Sequence, residues 1–239
     1  ETDFTTQELA RRGATVVMAC RNQQKAKAAM ILIHKEVPKA RLNFIALDLA
    51  NLKSVKSFVK EFKIAFSQLD ILCNNAGIMA IPQRKTADGF EMQLGTNHLG
   101  HFALTALLIG VLMKTPKSRI VNVSSIAHRF GKMNFEDLNS EKSYTKWAAY
   151  GQSKLANILF TLELQKRLTE VNSETICVAA HPGYAATNLQ SVGPQMENSK
   201  MGESMNTWAN KLFAQSADMG ALPTLYAATH SPILGGNLY

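Results

Sequence analysis

The sequence predicts a single-domain α/β protein, a doubly wound parallel sheet in three layers spanning residues 1–239. Three observations carry that expectation. Apolar runs of strand length alternate with stretches of helical period. The runs are continuously apolar, as strands covered by helices on both faces should be. Several runs end directly at polar or turn residues (Arg21, Asp48, Asn74 to Gly77, Ser124 and Ser125, His181 to Gly183). In open parallel sheets, ligands bind at those carboxyl ends.

The elements follow in order. LARRGA (9–14) ends a helix and turns at Gly13, and ATVVMAC (14–20) is a strand ending at Arg21. Residues 23–36 have a helical pattern, and RLNFIALDL (41–49) is a strand ending at Asp48. Residues 51–67 form an amphipathic helix with Leu52, Val55, Phe58, Val59, Phe62 and Phe66 on one face. LDILCNNAG (69–77) is a strand with a glycine turn; residues 88–113 are helical in one or two pieces; SRIVNVSS (118–125) is a strand. Residues 146–169 form a long helix, with Leu155, Ile158, Leu159 and Leu162 as its expected core stripe. ETICVAAHPG (174–183) is a strand stopped by Pro-Gly. The polar connection 126–146 is long enough to be functional. Residues 188–210 read as a substrate lid, with Met196, Met201 and Met205 as candidates to line an apolar pocket.

Composition narrows the function classes. Apolar residues make up 46% and charged residues 18%, ordinary for a globular protein with a sizeable core. No run of 18 apolar residues occurs, so no membrane span is expected, and no leader segment is visible. Cys20, Cys73 and Cys177 lie in or beside apolar runs and read as buried, reduced thiols, which points to a cytoplasmic location. The net charge is +8, but Lys25, Lys27, Lys53, Lys56, Lys60 and Lys63 are spread along helices without interleaved aromatics. Solvated helix faces and an anionic cofactor explain that charge better than a nucleic-acid partner. His98 and His101 have no third ligand in reach, so no metal site is expected. His128 and His181 are candidates to touch substrate.

The chemistry centres on Tyr150 and Lys154, which at i and i+4 share a helix face. A phenol titrates near pH ~10, and a neighbouring ammonium group stabilises the phenolate. A lowering of about three pH units corresponds to about 4 kcal/mol and suits proton transfer near neutrality. The spacing alone is commonplace; its context gives it weight. Ser125 ends a strand and can hold a substrate oxygen beside the phenol. Asn97, an amide in a helical stretch, can brace a water or the lysine.

On these residues the chain resembles the short-chain dehydrogenase/reductase family. Asp48, NNAG (74–77), Asn97, Ser125, Tyr150-x-x-x-Lys154 and Pro182-Gly183 with Thr187 stand in the family's order over essentially the whole chain. NHLGHF, VNVSSIAHR, SKLANILFTLEL and HPGY are similar to the retinol-dehydrogenase-like and WW-domain-oxidoreductase-like branch. The resemblance implies a Rossmann-like fold and reversible hydride transfer between NADP(H) and a carbonyl or alcohol, on an apolar small molecule. It implies that Tyr150 is the general acid and base, and that Lys154 lowers its pKa and holds the nicotinamide ribose. Ser125, rather than Ser124, binds the substrate oxygen, and Asn97 holds a relay water. Asp48 and the backbone of Leu49 meet the adenine; Asn75, Ala76 and Gly77 line the adenosine ribose; Pro182, Gly183 and Thr187 touch the nicotinamide end. A homodimer or homotetramer, joined through the helices at 88–113 and 146–169, is implied as well.

Cofactor choice turns on Arg21. A carboxylate at that position would bind the 2′-hydroxyl of NAD, whereas a guanidinium fork suits the 2′-phosphate of NADP. The chain departs from the family in one respect: no first strand and no glycine-rich phosphate loop precede LARRGA, and residues 1–8 contain no glycine. It also stops at GGNLY, where relatives continue. Loss of an interior strand would bare apolar faces and unpaired backbone, so the expectation is that the protein has parts this chain lacks. The alternative is a non-catalytic cofactor-sensing or protein-interaction module on the same fold.

Overall fold

The computed structural model describes residues 2–182 and 217–239. Gly183, Thr187, the expected lid at 188–210 and its three methionines lie outside the described residues. The elements are α1 (Thr2–Arg11), β1 (Thr15–Cys20), α2 (Gln23–Glu36), β2 (Arg41–Ala46), α3 (Leu52–Ala65), β3 (Ile71–Asn74), α4 (Met92–Leu112), β4 (Arg119–Val123), α5 (Lys146–Glu170), β5 (Ile176–Ala180) and α6 (Ala217–Thr229). Local chemistry sets several boundaries. The Asn22 side chain accepts from Lys25 N to start α2, and that of Asn51 accepts from Lys53 N and Ser54 N to start α3. Gly13 turns α1 into β1 at φ 87°, a conformation that favours glycine.

Among the described residues every pairing between strands is parallel. β1 pairs with β2, and β3, β4 and β5 pair in that order, so the described strands form two hydrogen-bonded sheets. The segment ending at Tyr239 lies beside β5, with Tyr239 N donating to Ala179 O and His181 N to Tyr239 O. One core spans both sheets. It joins Val17, Ala19 and Ile45 to Leu72, Ile120 and Cys177 under Phe58, Phe62, Leu104, Leu108 and Leu112 of α3 and α4. Successive strand residues point to opposite faces. Val121 and Val178, one step from Ile120 and Cys177, therefore pack with Ala227 and Ala228 of α6, and Val16 and Leu42 pack with Ala10 and Ile33 of α1 and α2. Helices thus cover both faces, the three-layer Rossmann-like arrangement that the apolar runs predict.

Two expectations are corrected. Leu159 and Leu162 are 44% and 51% exposed, so they are not a core stripe of α5. The helix instead buries small and polar residues, among them Ser153, Lys154, Ala156, Asn157 and Thr161, because it lies close against β4 and β5 beside the candidate site. Of the three free cysteines only Cys177 is fully buried; Cys20 and Cys73 are part-exposed, although desolvation pushes the Cys73 thiol up to about 12. Finally, α4 is long and apolar enough by length and composition to cross a membrane. Here it is a core helix, with Leu94, Leu104, Leu108 and Leu112 buried.

α4 meets the end of β2 without room for a side chain at Gly100, where a Cβ would lie 2.4 Å from Leu49 O. Gly110, on the same helix, has open space around its Cβ position. Gly100→Ala should destabilise by about 1–3 kcal/mol through overpacking. Gly110→Ala should be neutral or stabilise by up to ~1 kcal/mol through helix propensity. Urea midpoints of the two variants check the contrast; equal midpoints would refute the close contact.

Candidate active site

The loop after β3 and the end of β4 meet the middle of α4 and the first turns of α5, and Ser124 N donates to Ala180 O at the end of β5. α4 carries a π-helical turn at Gly95–Leu99, and Asn97 lies within it, fully buried. Such turns break the regular ladder and recur at functional sites. Asn97 Oδ1 accepts from Ile78 N at 2.8 Å, and its Nδ2 donates to Ile78 O at 2.9 Å and to Ser153 Oγ at 2.9 Å. The amide therefore clamps the loop after β3 to α5. The carbonyl of Asn97 accepts from Asn157 Nδ2 at 3.1 Å and from His101 Nδ1 at 3.0 Å.

Tyr150 and Lys154 are buried side by side, with Lys154 Nζ 5.7 Å from the centroid of the phenol ring. The ammonium also donates to Val123 O at 3.2 Å, which fixes it at the end of β4. Trp147 packs edge-on against the Tyr150 ring at 6.1 Å. The neighbouring serines differ. Ser124 is buried and its hydroxyl donates to Lys154 O at 2.9 Å. Ser125 is part-exposed, and its Oγ accepts from Ala127 N at 3.3 Å, starting the short 3-10 turn Ile126–Arg129.

The remaining predicted positions scatter along the strand ends. Arg21 is exposed directly after β1. Asp48 forms a local turn, with Oδ1 accepting from Ala50 N at 3.0 Å, and Leu49 is buried against Gly100. Asn75 and Gly77 are part-buried and Ala76 is exposed. A Cβ on Gly77 would lie 3.1 Å from Asn97 Oδ1 and 3.5 Å from Lys154 Nζ, so glycine lets the backbone lie against that pair without crowding it. Pro182 is part-buried after β5.

Sequence reasoning missed two buried polar residues, Asn157 and Gln93, and gave Asn74 no role beyond its place at a strand end. Asn74 Nδ2 donates to Asn122 Oδ1 at 2.8 Å and to Thr105 Oγ1 at 3.0 Å, tying β3 to β4 and α4. Asn157 donates to both Asn97 O and Val123 O, and His98 Nδ1 donates to Asn157 Oδ1 at 3.1 Å. Gln93 is fully buried one helical turn before Asn97. The available signal was an amide side chain inside an otherwise apolar stretch, as at Asn97. Among the described residues no cluster of histidine, cysteine or acid is placed to hold a metal.

A family model described as short chain dehydrogenase matches residues 3–198. The chain belongs to that family. It is 49% identical over 195 residues to retinol dehydrogenase 14 of Mus musculus, covering 77% of this chain and 58% of that protein. It is 42% identical over 235 residues to retinol dehydrogenase 11 of Homo sapiens, covering 98% of this chain and 71% of that protein. The chain thus spans little more than half the length of several curated relatives. A crystal structure of a protein from Mycobacterium Paratuberculosis superposes with a TM-score of 0.78 at 44% identity, covering 99% of this chain and 74% of that one. A Pseudomonas aeruginosa RhlG/NADP complex shares the fold, with a TM-score of 0.72 at 20% identity over 98% of this chain and 88% of that one.

Burial holds the His101 imidazole neutral, down to about 4 from 6.5; the carbonyl of Asn97 opposes that shift, and the charges of Lys154 and His98 add to it. His98 and His181 are lowered as well, chiefly by desolvation. Between these limits the unfolded chain binds more protons than the fold, so stability declines as pH falls from about 6.5 toward about 4. The share of His101 is about 3 kcal/mol. His101→Asn removes the titration, and its unfolding free energy measured across that range should have a flatter slope. An unchanged slope would refute the assignment.

Proposed function

We propose that this protein is an NADP(H)-dependent oxidoreductase that interconverts a carbonyl and an alcohol on an apolar substrate, with Tyr150 as the acid and base. The observation that carries the reading is the buried Tyr150–Lys154 pair next to Ser125, whose oxygen is the accessible one of the serine pair. Tyr150 gives its proton to the carbonyl oxygen in reduction and takes it back in oxidation. The positive charge of Lys154 favours the phenolate. Ser125 orients the substrate oxygen, and Asn97 serves the relay water through which Lys154 exchanges protons.

The residues fit a nicotinamide dinucleotide. Gly77 leaves a flush surface beside Lys154; Arg21 stands exposed at the end of β1 for a 2′-phosphate. Asp48 and Leu49 serve the adenine, and Asn75, Ala76 and Gly77 the adenosine ribose. Lys154 serves the nicotinamide ribose, and Pro182, Gly183 and Thr187 the nicotinamide end. When bound, the cofactor supplies or accepts the hydride. The relatives named retinol dehydrogenases support an apolar substrate, as do the exposed side chains of Ile126, Phe130 and Trp147 near Ser125 and Tyr150.

A second copy of the chain is the proposed partner. Phe102 and Leu107 of α4 and Leu159 and Leu162 of α5 are exposed, and Phe102 packs at a tilt against Phe160, joining the two helices into one apolar face. A dimer formed by two such faces is self-complementary. Light scattering should give a dimer or tetramer that Leu159→Glu with Leu162→Glu converts to monomer; a wild-type monomer would refute it.

Titration of the intact protein, followed by nicotinamide fluorescence, should show tighter binding of NADPH than of NADH, and Arg21→Asp should reverse that order. Tyr150→Phe should retain cofactor binding and lose turnover of a carbonyl panel by about 10²–10⁴-fold. An intact protein that binds neither cofactor would overturn the oxidoreductase reading and leave the non-catalytic module.

A further inference from the structure

The helix that carries Tyr150 begins without the usual supports. α5 starts at Lys146, its N-cap Thr145 makes no side-chain capping bond, and its first turn holds no acidic residue. Its first residue is a lysine, a cation at the positive end of the helix dipole. α2 and α3, by contrast, are both capped by asparagine side chains. Tyr150 is only the fifth residue of α5, and first turns without capping partners fray.

A buried amide from another helix meets this turn. Gln93 Nε2 donates to Lys146 O at 2.9 Å and to Tyr144 Oη at 2.9 Å, while Gln93 Oε1 accepts from Ala80 N at 2.8 Å. Tyr144 Oη in turn donates to Ile81 O at 2.7 Å. In an α-helix the carbonyl of residue 146 is the acceptor for the N–H of residue 150. Gln93 therefore grips the carbonyl to which Tyr150 itself is bonded. Its own place is set by Glu91, which caps α4 by accepting from Gln93 N and Leu94 N at 2.9 and 2.7 Å. Both N–H donors and the carbonyl oxygen of the Gln93 amide are bonded, and the residue is fully buried.

We infer that Gln93, together with Tyr144, pins the uncapped first turn of α5 through the Lys146 carbonyl and is a positioning residue for Tyr150. It couples three segments that must move together: the loop after β3, the end of the polar connection 126–146, and the first turn of α5. Burial, and then the charge of Glu91, push the Tyr144 phenol up to about 12, which keeps it a hydrogen-bond donor throughout the working range. The inference rests on the catalytic reading of Tyr150, but its structural half can be read without turnover.

The test uses Gln93→Met, which keeps length and removes all three bonds, and Tyr144→Phe, which removes only the hydroxyl. Amide hydrogen exchange at residues 149–152 should accelerate about tenfold or more in Gln93→Met and less in Tyr144→Phe. With NADPH and a carbonyl that the wild type reduces, kcat should fall about tenfold or more, since small misplacements are costly, while the Kd for NADPH stays within about threefold of wild type. Thr145 has the extended backbone of a cap, φ −128° and ψ 127°, close to that of Asn51. Thr145→Asn added to Gln93→Met should therefore restore both exchange protection and kcat. Unchanged exchange in both single variants would overturn the inference, as would a Thr145→Asn rescue of melting temperature without rescue of kcat. A wild type that reduces no carbonyl sinks the catalytic reading separately, and exchange still decides whether Gln93 holds the turn. Should Gln93→Met fail to fold, Tyr144→Phe with and without Thr145→Asn gives the same decision.

Discussion

The carboxamide of Asn97 is the constraint on which the site depends. It bonds both backbone groups of Ile78 and the hydroxyl of Ser153, so one side chain ties the loop after β3, the π-turn of α4 and the buried face of α5. A single amide can do this only because it is dry: buried hydrogen bonds are short of competitors, and an unmet partner would be expensive. Gly77 and Gly100 belong to the same constraint. Each lets backbone approach closely: at Gly100 a methyl group would clash with Leu49, and at Gly77 it would crowd Asn97 and Lys154.

The interior around α5 is organised by polar groups rather than by a leucine stripe. Asn74, Asn122 and Thr161 form a chain from β3 through β4 to α5, and Thr161 returns its proton to Asn157 O. Asn157 then reaches Asn97 O and Val123 O. Such networks specify one arrangement of strands and helix only when nearly complete; here Asn74 Oδ1 is the exception, a buried acceptor without a protein partner. The apolar residues of α5 that a soluble helix would bury point outward instead, alongside Phe102 of α4. The same helix thus presents a polar face to the site and an apolar face to a prospective second copy.

Much of the site could be read from the sequence because its spacing is local. Tyr150 and Lys154 share a face through the helical period alone, and Ser125 stands where an apolar run ends. The choice between Ser124 and Ser125 was not local: Ser124 turns inward because Lys154 O lies within reach of its hydroxyl. Gln93 and Asn157 were missed because an amide among apolar residues has no characteristic period, and their partners Lys146 and Val123 lie 53 and 34 residues away.

The sequence by itself determined the order of strands and helices, the parallel strands covered on both sides, and the spacing of Tyr150 and Lys154 on α5. These follow from side-chain periodicity and turn chemistry, which act over a few residues. Only the tertiary structure decided which face of α5 is buried, which serine is accessible, and what holds the first turn of that helix. Those outcomes depend on groups distant in the chain that meet in a water-free interior, where each polar atom must find a partner and each close approach must find a glycine.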